Sequence, residues 1–373
     1  MKNRLLFTSS FIAAALLTGC GEGTSVADAN NAKAKLGQAL FTSKALSQNR
    51  TMACATCHDL EHAMADPRPV SAVGASLGDD GTSRGDRNAP TAAYAAFSPE
   101  FRFDTEEQLY IGGQFLDGRA ANLQAQAKGP FVNPVEMNMS SPSAVVARAK
   151  NDPTLSDQLK AVYGADIFQD DARAYDAIAD AIATFEQTKT FAPFDSKFDR
   201  AYEGTYSYTP LEKEGKALFE GKAGCVACHP TEGRHALLTD FSYDNLGVPE
   251  NTALRRLNGV TEPDKGLGGR SDIADETLYG AFKVASLRNV AVTAPYMHNG
   301  VFKTLKTVVH FYNTRDVPGA VNPETNATWR AAEMPQTVNH DELGNLGLSD
   351  HEEDAIVAFM KTFTDKKFEH LVR

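Results

Sequence analysis

Long apolar runs are scarce in this chain. Apart from one stretch near the N-terminus, none reaches the roughly 20 residues needed to span a bilayer, which excludes a polytopic membrane protein. Excess positive charge is missing too. Lys and Arg number 37 against 48 Asp and Glu, a formal net charge of −11 at pH 7, so non-specific nucleic-acid binding is excluded. Strand-like alternation is rare, which argues against an all-β fold. Tryptophan occurs once, at Trp329, and cysteine five times. What is present is an ordinary globular composition, 42% hydrophobic and 23% charged. The 373 residues are enough for two domains with separate cores.

The exception near the N-terminus reads as an export signal. Lys2 and Arg4 precede a short apolar run, Leu5 to Leu17, which ends in Leu17-Thr18-Gly19-Cys20. That ending resembles a bacterial lipobox, with residues 1–19 as the signal peptide and Cys20 as the lipidated residue. The expected location is the periplasm, with the lipid as the sole membrane anchor. The alternative is a soluble secreted protein that discards Cys20. The lipoprotein reading is preferred because Cys20 follows the apolar run and a small residue directly.

The other four cysteines form two copies of one pattern, Cys54-Ala55-Thr56-Cys57-His58 and Cys225-Val226-Ala227-Cys228-His229. A redox disulfide in each pair would leave the adjacent histidine unexplained, and a four-cysteine zinc site would leave both histidines idle. C-x-x-C-H is the attachment sequence of c-type haem, with two thioether bonds to the vinyl groups and histidine as the proximal iron ligand. The expectation is two haem c groups, held by Cys54, Cys57 and His58 and by Cys225, Cys228 and His229.

The motifs lie far apart, so each is assigned its own domain. A helix is expected before each one: Leu36, Leu40 and Phe41 recur at helical spacing, and Thr209-Pro210-Leu211-Glu212 forms a capping box ahead of Ala217, Leu218 and Phe219. Further helices are expected over 171–187, with Tyr175, Ile178, Ile182 and Phe185 on one face, and after Ser349, with Ala355, Ile356, Phe359, Met360 and Phe363 on the apolar side. Residues 66–91 and 244–275 read as functional loops. The fold expected is mainly α, two cytochrome c-like domains over 20–191 and 192–373, with the seam within 192–208.

Several blocks beyond these motifs carry a resemblance. They are Arg68-Pro69-Val70-Ser71, Arg87-Asn88-Ala89-Pro90-Thr91, Asp117-Gly118-Arg119-Ala120, Asn133-Pro134-Val135-Glu136-Met137, and Leu287-Arg288-Asn289-Val290 through Thr293-Ala294-Pro295-Tyr296-Met297-His298-Asn299-Gly300. From about Leu36 to Thr364 the chain resembles the bacterial di-haem cytochrome c peroxidase family, which includes the MauG-like enzymes. The resemblance implies that the N-terminal haem meets peroxide, with Gln126, Pro130 and Glu136 on its distal side. Glu136 is then the acid/base that moves a proton between the peroxide oxygens, and Gln126 a hydrogen-bonding partner. Some members cover this iron with a histidine at the position of Gly74; no histidine occurs here between His62 and His229, and His62 is read as a surface or supporting residue.

For the C-terminal haem the resemblance places the sixth ligand at Tyr312, where ordinary members have methionine and MauG-like members tyrosine; Met297 and His310 are rivals. It also implies a calcium ion held by Asn88, Thr293 and Pro295; for His298 and Arg288 a haem-environment role and structural hydrogen bonding are both open. Many members have tryptophan at the position of Leu116 to relay electrons between haems, so here the haems communicate without an aromatic bridge or through a substitute such as Phe115. Three readings follow. The leading one is a peroxidase reducing hydrogen peroxide with electrons from a small donor protein, a cytochrome c or cupredoxin, entering through the second haem. The second is a MauG-like oxidase that turns the oxidising power on a partner protein. The third is a non-catalytic di-haem electron carrier.

Overall fold

The computed structural model describes residues 26–68 and 72–373; the expected signal peptide, Cys20, and Pro69, Val70 and Ser71 lie outside the described residues. Helices dominate. In the first half these are α1 (Val26–Thr42), α2 (Cys54–Cys57), α3 (Leu123–Val132), α4 (Pro142–Asn151), α5 (Pro153–Tyr163) and α6 (Asp171–Glu186). In the second half come α7 (Lys197–Tyr202), α8 (Pro210–Glu220), α9 (Thr252–Asn258), α10 (Leu305–Thr314) and α11 (Asp350–Lys361). The strands form three antiparallel pairs: β1 (Arg102–Asp104) with β2 (Leu109–Ile111), β3 (Tyr243–Asp244) with β4 (Phe282–Lys283), and β5 (Val321–Asn322) with β6 (Ala327–Thr328).

The capping signals act as expected. Thr209 and Glu212 cap α8 reciprocally, as Ser349 and Glu352 cap α11, so two otherwise orphan backbone N–H groups are satisfied at each start. Tyr175, Ile178, Ile182 and Phe185 are all buried on α6. One device recurs in both halves. The helix ahead of each C-x-x-C-H motif crosses the last long helix of its half at a glycine: Gly37 of α1 faces the Ala181 carbonyl of α6, and Gly215 of α8 faces the Ala355 carbonyl of α11. In both crossings a Cβ would collide with backbone, which cannot swing aside. Gly215→Ala is therefore expected to destabilise the protein despite a helix-propensity gain of about 1 kcal/mol. Overpacking of about 1–3 kcal/mol outweighs that gain, and a thermal melt that stays level or rises contradicts the prediction.

Two main cores form. One gathers Leu36, Leu40, Phe41, Phe131, Ile178 and Phe191, joined by Phe368 from the C-terminal turn; the other is built on Phe198, Phe219, Phe359 and Phe363. A smaller cluster holds Val248, Phe302, Val308 and Phe311. Trp329, whose sequence neighbours are mostly polar, packs edge-on against Phe302 and Phe311, at 5.7 and 5.1 Å between centroids.

The two long loops close the seam between the halves. Segment 244–275 is not wholly loop, since it contains α9, whose two leucines are too few to announce a helix; Asn251 caps it. The Asn251 side chain also donates to the carbonyls of Val73 (2.7 Å) and Asn299 (2.9 Å). Gly74 has φ +119°, and a Cβ there would strike the Asn299 carbonyl oxygen. A side chain of any kind is thus excluded at Gly74 by close backbone packing.

Candidate active site

Each C-x-x-C-H motif lines its own cavity, one of about 540 Å³ around Cys54, Cys57 and His58, the other of about 520 Å³ around Cys225, Cys228 and His229. The two cysteine pairs lie in separate cavities and no disulfide joins either pair, so the four sulfurs do not gather at a shared zinc site. Loss of water around both histidine rings holds their pKa below the usual value and keeps the imidazole neutral. Nδ1 of His58 lies 3.2 Å from the Met64 carbonyl oxygen, and Nδ1 of His229 lies 2.8 Å from that of Leu238. A carbonyl accepts only from an N–H, so the proton sits on Nδ1 and the Nε2 lone pair is left for a metal.

These features fit haem: paired thiols, an oriented imidazole and a largely apolar cavity at each motif. Among the described residues no group of three or more His, Cys, Asp or Glu gathers elsewhere to hold a metal ion.

The first cavity receives Gln126 and Pro130 from α3, four residues apart and so on one helix face, and Glu136 from the loop that follows. That loop is pinned by backbone bonds: Met137 N–H donates to Pro130 and Asn138 N–H to Asn133. Asn133 Nδ2 donates to Glu136 Oε1 at 2.6 Å. Burial raises the Glu136 pKa, outweighing the lowering by Asn133 and Arg119. All three residues expected from sequence thus line the same cavity as His58. His62 does not line it; its Nδ1 lies 3.3 Å from the Asp59 carboxylate.

The second cavity is lined by Tyr312 of α10 and by Met297, with the Tyr312 hydroxyl 3.8 Å from Met297 Sδ. Burial raises the Tyr312 pKa. His310 is turned away and bonded to Glu353 Oε1 at 2.8 Å. His298 lines the cavity and stacks on Phe282, 3.8 Å between centroids. Arg288 takes part in structural hydrogen bonding. It is fully buried outside both cavities, with Nη1 and Nη2 donating to Asp199 at 2.6 and 2.9 Å and Nε to the Ala236 carbonyl at 2.9 Å. Its neighbours Ser286, Leu287 and Val290 line the second cavity instead.

Asn88 spans the seam, its backbone N–H donating to the His298 carbonyl at 2.7 Å and its side chain to that of Pro295 at 2.6 Å. Asn88, Thr293 and Pro295 all border the second cavity. Leu116 and Lys283 border both cavities, whereas Phe115 borders only the first and lies beneath the Arg119 guanidinium, 3.7 Å from the ring centroid.

A family model for di-haem cytochrome c peroxidase matches residues 31–207. The methylamine utilization protein MauG of Paracoccus denitrificans (strain Pd 1222) is 44% identical over 370 residues, covering 96% of this chain and 95% of the relative. The chain belongs to the di-haem cytochrome c peroxidase family. The cytochrome c peroxidase Ccp of Escherichia coli (strain K12) is 34% identical over 279 residues, 74% of this chain and 52% of that one. Among solved structures, the diheme peroxidase BthA from Burkholderia thailandensis E264 superposes with a TM-score of 0.82 at 31% identity, covering 91% of this chain and 88% of its own. Membership makes this protein a peroxide-acting oxidoreductase with two haem c groups in two cytochrome c-like domains.

Two buried ionisable groups at the cavities escaped the sequence reading. Glu186 lines the first cavity and burial pushes its pKa up to about 8. A signal existed: Glu186 continues the Ile178–Ile182 stripe of α6, and a carboxylate on an apolar face is out of place. Lys283 on β4 is pushed down to about 8 by burial and donates to the Gly113 carbonyl at 2.5 Å. Nothing in its local sequence announces it.

Proposed function

We propose that hydrogen peroxide is reduced in the first cavity, at the haem on Cys54, Cys57 and His58, with electrons delivered through the haem on Cys225, Cys228 and His229. The bound haem supplies the iron that receives peroxide and the electrons that reduce it. The observation that carries this reading is the convergence of Glu136, Gln126 and Pro130 on the His58 cavity. Glu136 takes the proton from one peroxide oxygen and returns it to the other, Gln126 orients the peroxide by hydrogen bonding, and Pro130 presents an apolar wall. The Glu136 pKa, raised by burial above the usual carboxylate value, supports a group that can hold as well as release a proton. Packing at Gly74 supports an iron face that no histidine from that position covers.

A MauG-like variant is the second reading, favoured by Tyr312 lining the second cavity. In it Tyr312 ligates the second iron and the oxidising equivalents pass to a partner protein; in the first reading a cytochrome c or cupredoxin donates electrons. Calcium at Asn88, Thr293 and Pro295, a domain boundary between 191 and 192, and periplasmic residence with a lipid on Cys20 complete the proposal. No helix among the described residues is long and apolar enough to cross a membrane.

Stopped-flow spectroscopy of the diferric, haem-loaded protein mixed with one equivalent of peroxide tests it. A long-lived oxidised spectrum that Tyr312→Phe abolishes supports the MauG-like variant, and Met297 filling the vacated position raises the second haem's potential. Reaction only after reduction of the second haem supports the small-donor peroxidase. Failure to react in either oxidation state removes peroxide chemistry.

A further inference from the structure

We propose that Tyr94 is a redox-active tyrosine, giving one electron to the peroxide-oxidised centre of the first cavity while its phenolic proton passes to Asp365. This rests on the peroxide reading of that cavity.

Tyr94 lines the first cavity and is buried, 2% exposed. Its hydroxyl donates to Asp365 Oδ1 at 2.7 Å and accepts from the Phe194 N–H at 3.1 Å, so the phenolic oxygen is held in place against its proton acceptor. Asp365 is itself fixed, taking a second bond on Oδ2 from Asn289 Nδ2 at 2.7 Å and donating its own N–H to Asn289 Oδ1 at 2.8 Å. Burial lifts the Asp365 pKa to about 6, making it a better proton acceptor than an ordinary aspartate.

The comparison with other rings decides the assignment. Oxidising a phenol is easiest when the proton can leave with the electron, which needs a base at hydrogen-bond distance. Tyr296 in the second cavity donates to the Val290 carbonyl at 3.0 Å, which cannot take a proton, and the Tyr312 hydroxyl meets only Met297 Sδ. Trp329 borders neither cavity and donates to Thr314 Oγ1. Among the described residues, Tyr94 is the cavity-lining tyrosine that donates to a carboxylate. Arg288 reinforces the coupling. Its guanidinium lies 5.2 Å from the Tyr94 ring centroid, so an unneutralised positive charge on the ring is penalised and the proton must leave with the electron. Leu116 in the wall between the cavities offers no oxidisable ring, which leaves Tyr94 as the phenol beside the first cavity. Phe194, 4.9 Å from Tyr94 between centroids, stacks in turn on exposed His235. One aromatic ring therefore separates Tyr94 from a surface where a donor can restore it.

The electrons balance. Hydrogen peroxide takes two electrons and two protons to give two waters. Tyr94 provides one electron: its O–H bond breaks, a neutral phenoxyl radical remains, and the proton rests on Asp365. The second haem provides the other electron, and the two protons come from solvent. One electron from the donor then reduces the radical as Asp365 returns its proton.

The test is rapid freeze-quench electron paramagnetic resonance of the diferric holoprotein with one equivalent of hydrogen peroxide, alongside the optical change at the haem. The expected signal is an organic radical that narrows when ring-deuterated tyrosine is supplied. Tyr94→Phe should lower its yield at least tenfold, and Asp365→Asn, which cannot take the proton, should lower it likewise. If either variant folds poorly, 3,5-difluorotyrosine installed at position 94 keeps the hydroxyl and should add fluorine splitting to the signal. An optical change with no tyrosine radical, or a radical unaltered by all of these replacements, overturns Tyr94 and leaves peroxide activation standing. No optical change overturns both.

Discussion

Glu136→Gln is expected to slow the reaction of the haem-loaded protein with hydrogen peroxide by about 10²–10⁴-fold, the usual worth of a positioned acid/base. Glutamine keeps the shape of the side chain and its contact with Asn133, and the loop is fixed through its backbone, with Glu136 O accepting from the Asp79 N–H at 2.8 Å. The variant should therefore load two haems and melt as the parent does. The pH profile carries a second signature. The ionised carboxylate accepts the peroxide proton, and burial raises its pKa. The parent rate should consequently fall as pH drops through that raised pKa, whereas the Gln variant should lose this limb. Stopped-flow rates from pH 4 to 8 check both points. A variant within threefold of the parent across this range would exclude Glu136 as the proton carrier.

Asp199→Ala should produce the largest loss of stability. Arg288 is 1% exposed and Asp199 2%, and two parallel hydrogen bonds make Asp199 the carboxylate in direct contact with the guanidinium. Removing the carboxylate leaves a buried cation with carbonyl and hydroxyl partners alone, at a cost of about 3–5 kcal/mol. Asp199 also closes the capping box of α7 with Ser196, so a helix start is lost too. In a unit of this size the loss corresponds to a fall in Tm of roughly 6–20 °C. The pair should show coupling: Asp199→Ala combined with Arg288→Met should cost less than the two single changes added, because the orphaned charge is gone. Additive losses in that cycle would mean the pair is not a unit. The residue matters beyond stability, since Arg288 lies over the rings of Tyr94, Phe194 and Phe198 where the two halves meet.

What was legible in the sequence was local. The two C-x-x-C-H motifs, the capping boxes at Thr209 and Ser349 and the apolar stripe of α6 are all patterns within a few helical turns. The backbone geometry they specify is set by neighbours along the chain. Glu136, Gln126 and Pro130 were legible for a different reason, through blocks shared with a family, and they come together because α3 and its following loop deliver them within eleven residues.

Other features could not be seen. α9 has too few apolar residues for a period, and α4 and α5, announced only by Ser141 and Asp152 with proline at the first helical position, were passed over. For Arg288 the sequence leaves a haem-environment role and structural hydrogen bonding open; packing shows its side chain turned to Asp199, 89 residues away in sequence. Trp329 likewise found its partners in Phe302 and Phe311 rather than in solvent.

The sequence by itself determined the chemistry at each motif, two thiols and an imidazole at fixed spacing, in a chain too acidic for non-specific nucleic-acid binding and without the long apolar runs of a polytopic membrane protein. The tertiary structure decided which groups face those motifs. The Tyr94–Asp365 bond joins residues 271 apart, Lys283 reaches both cavities from a two-residue strand, and Gly74 is barred from bearing a side chain by a loop of the other half. The physical reason is burial. A hydrogen bond or a raised pKa depends on which groups lose water together, and that is settled when the two halves and their long loops close on one another.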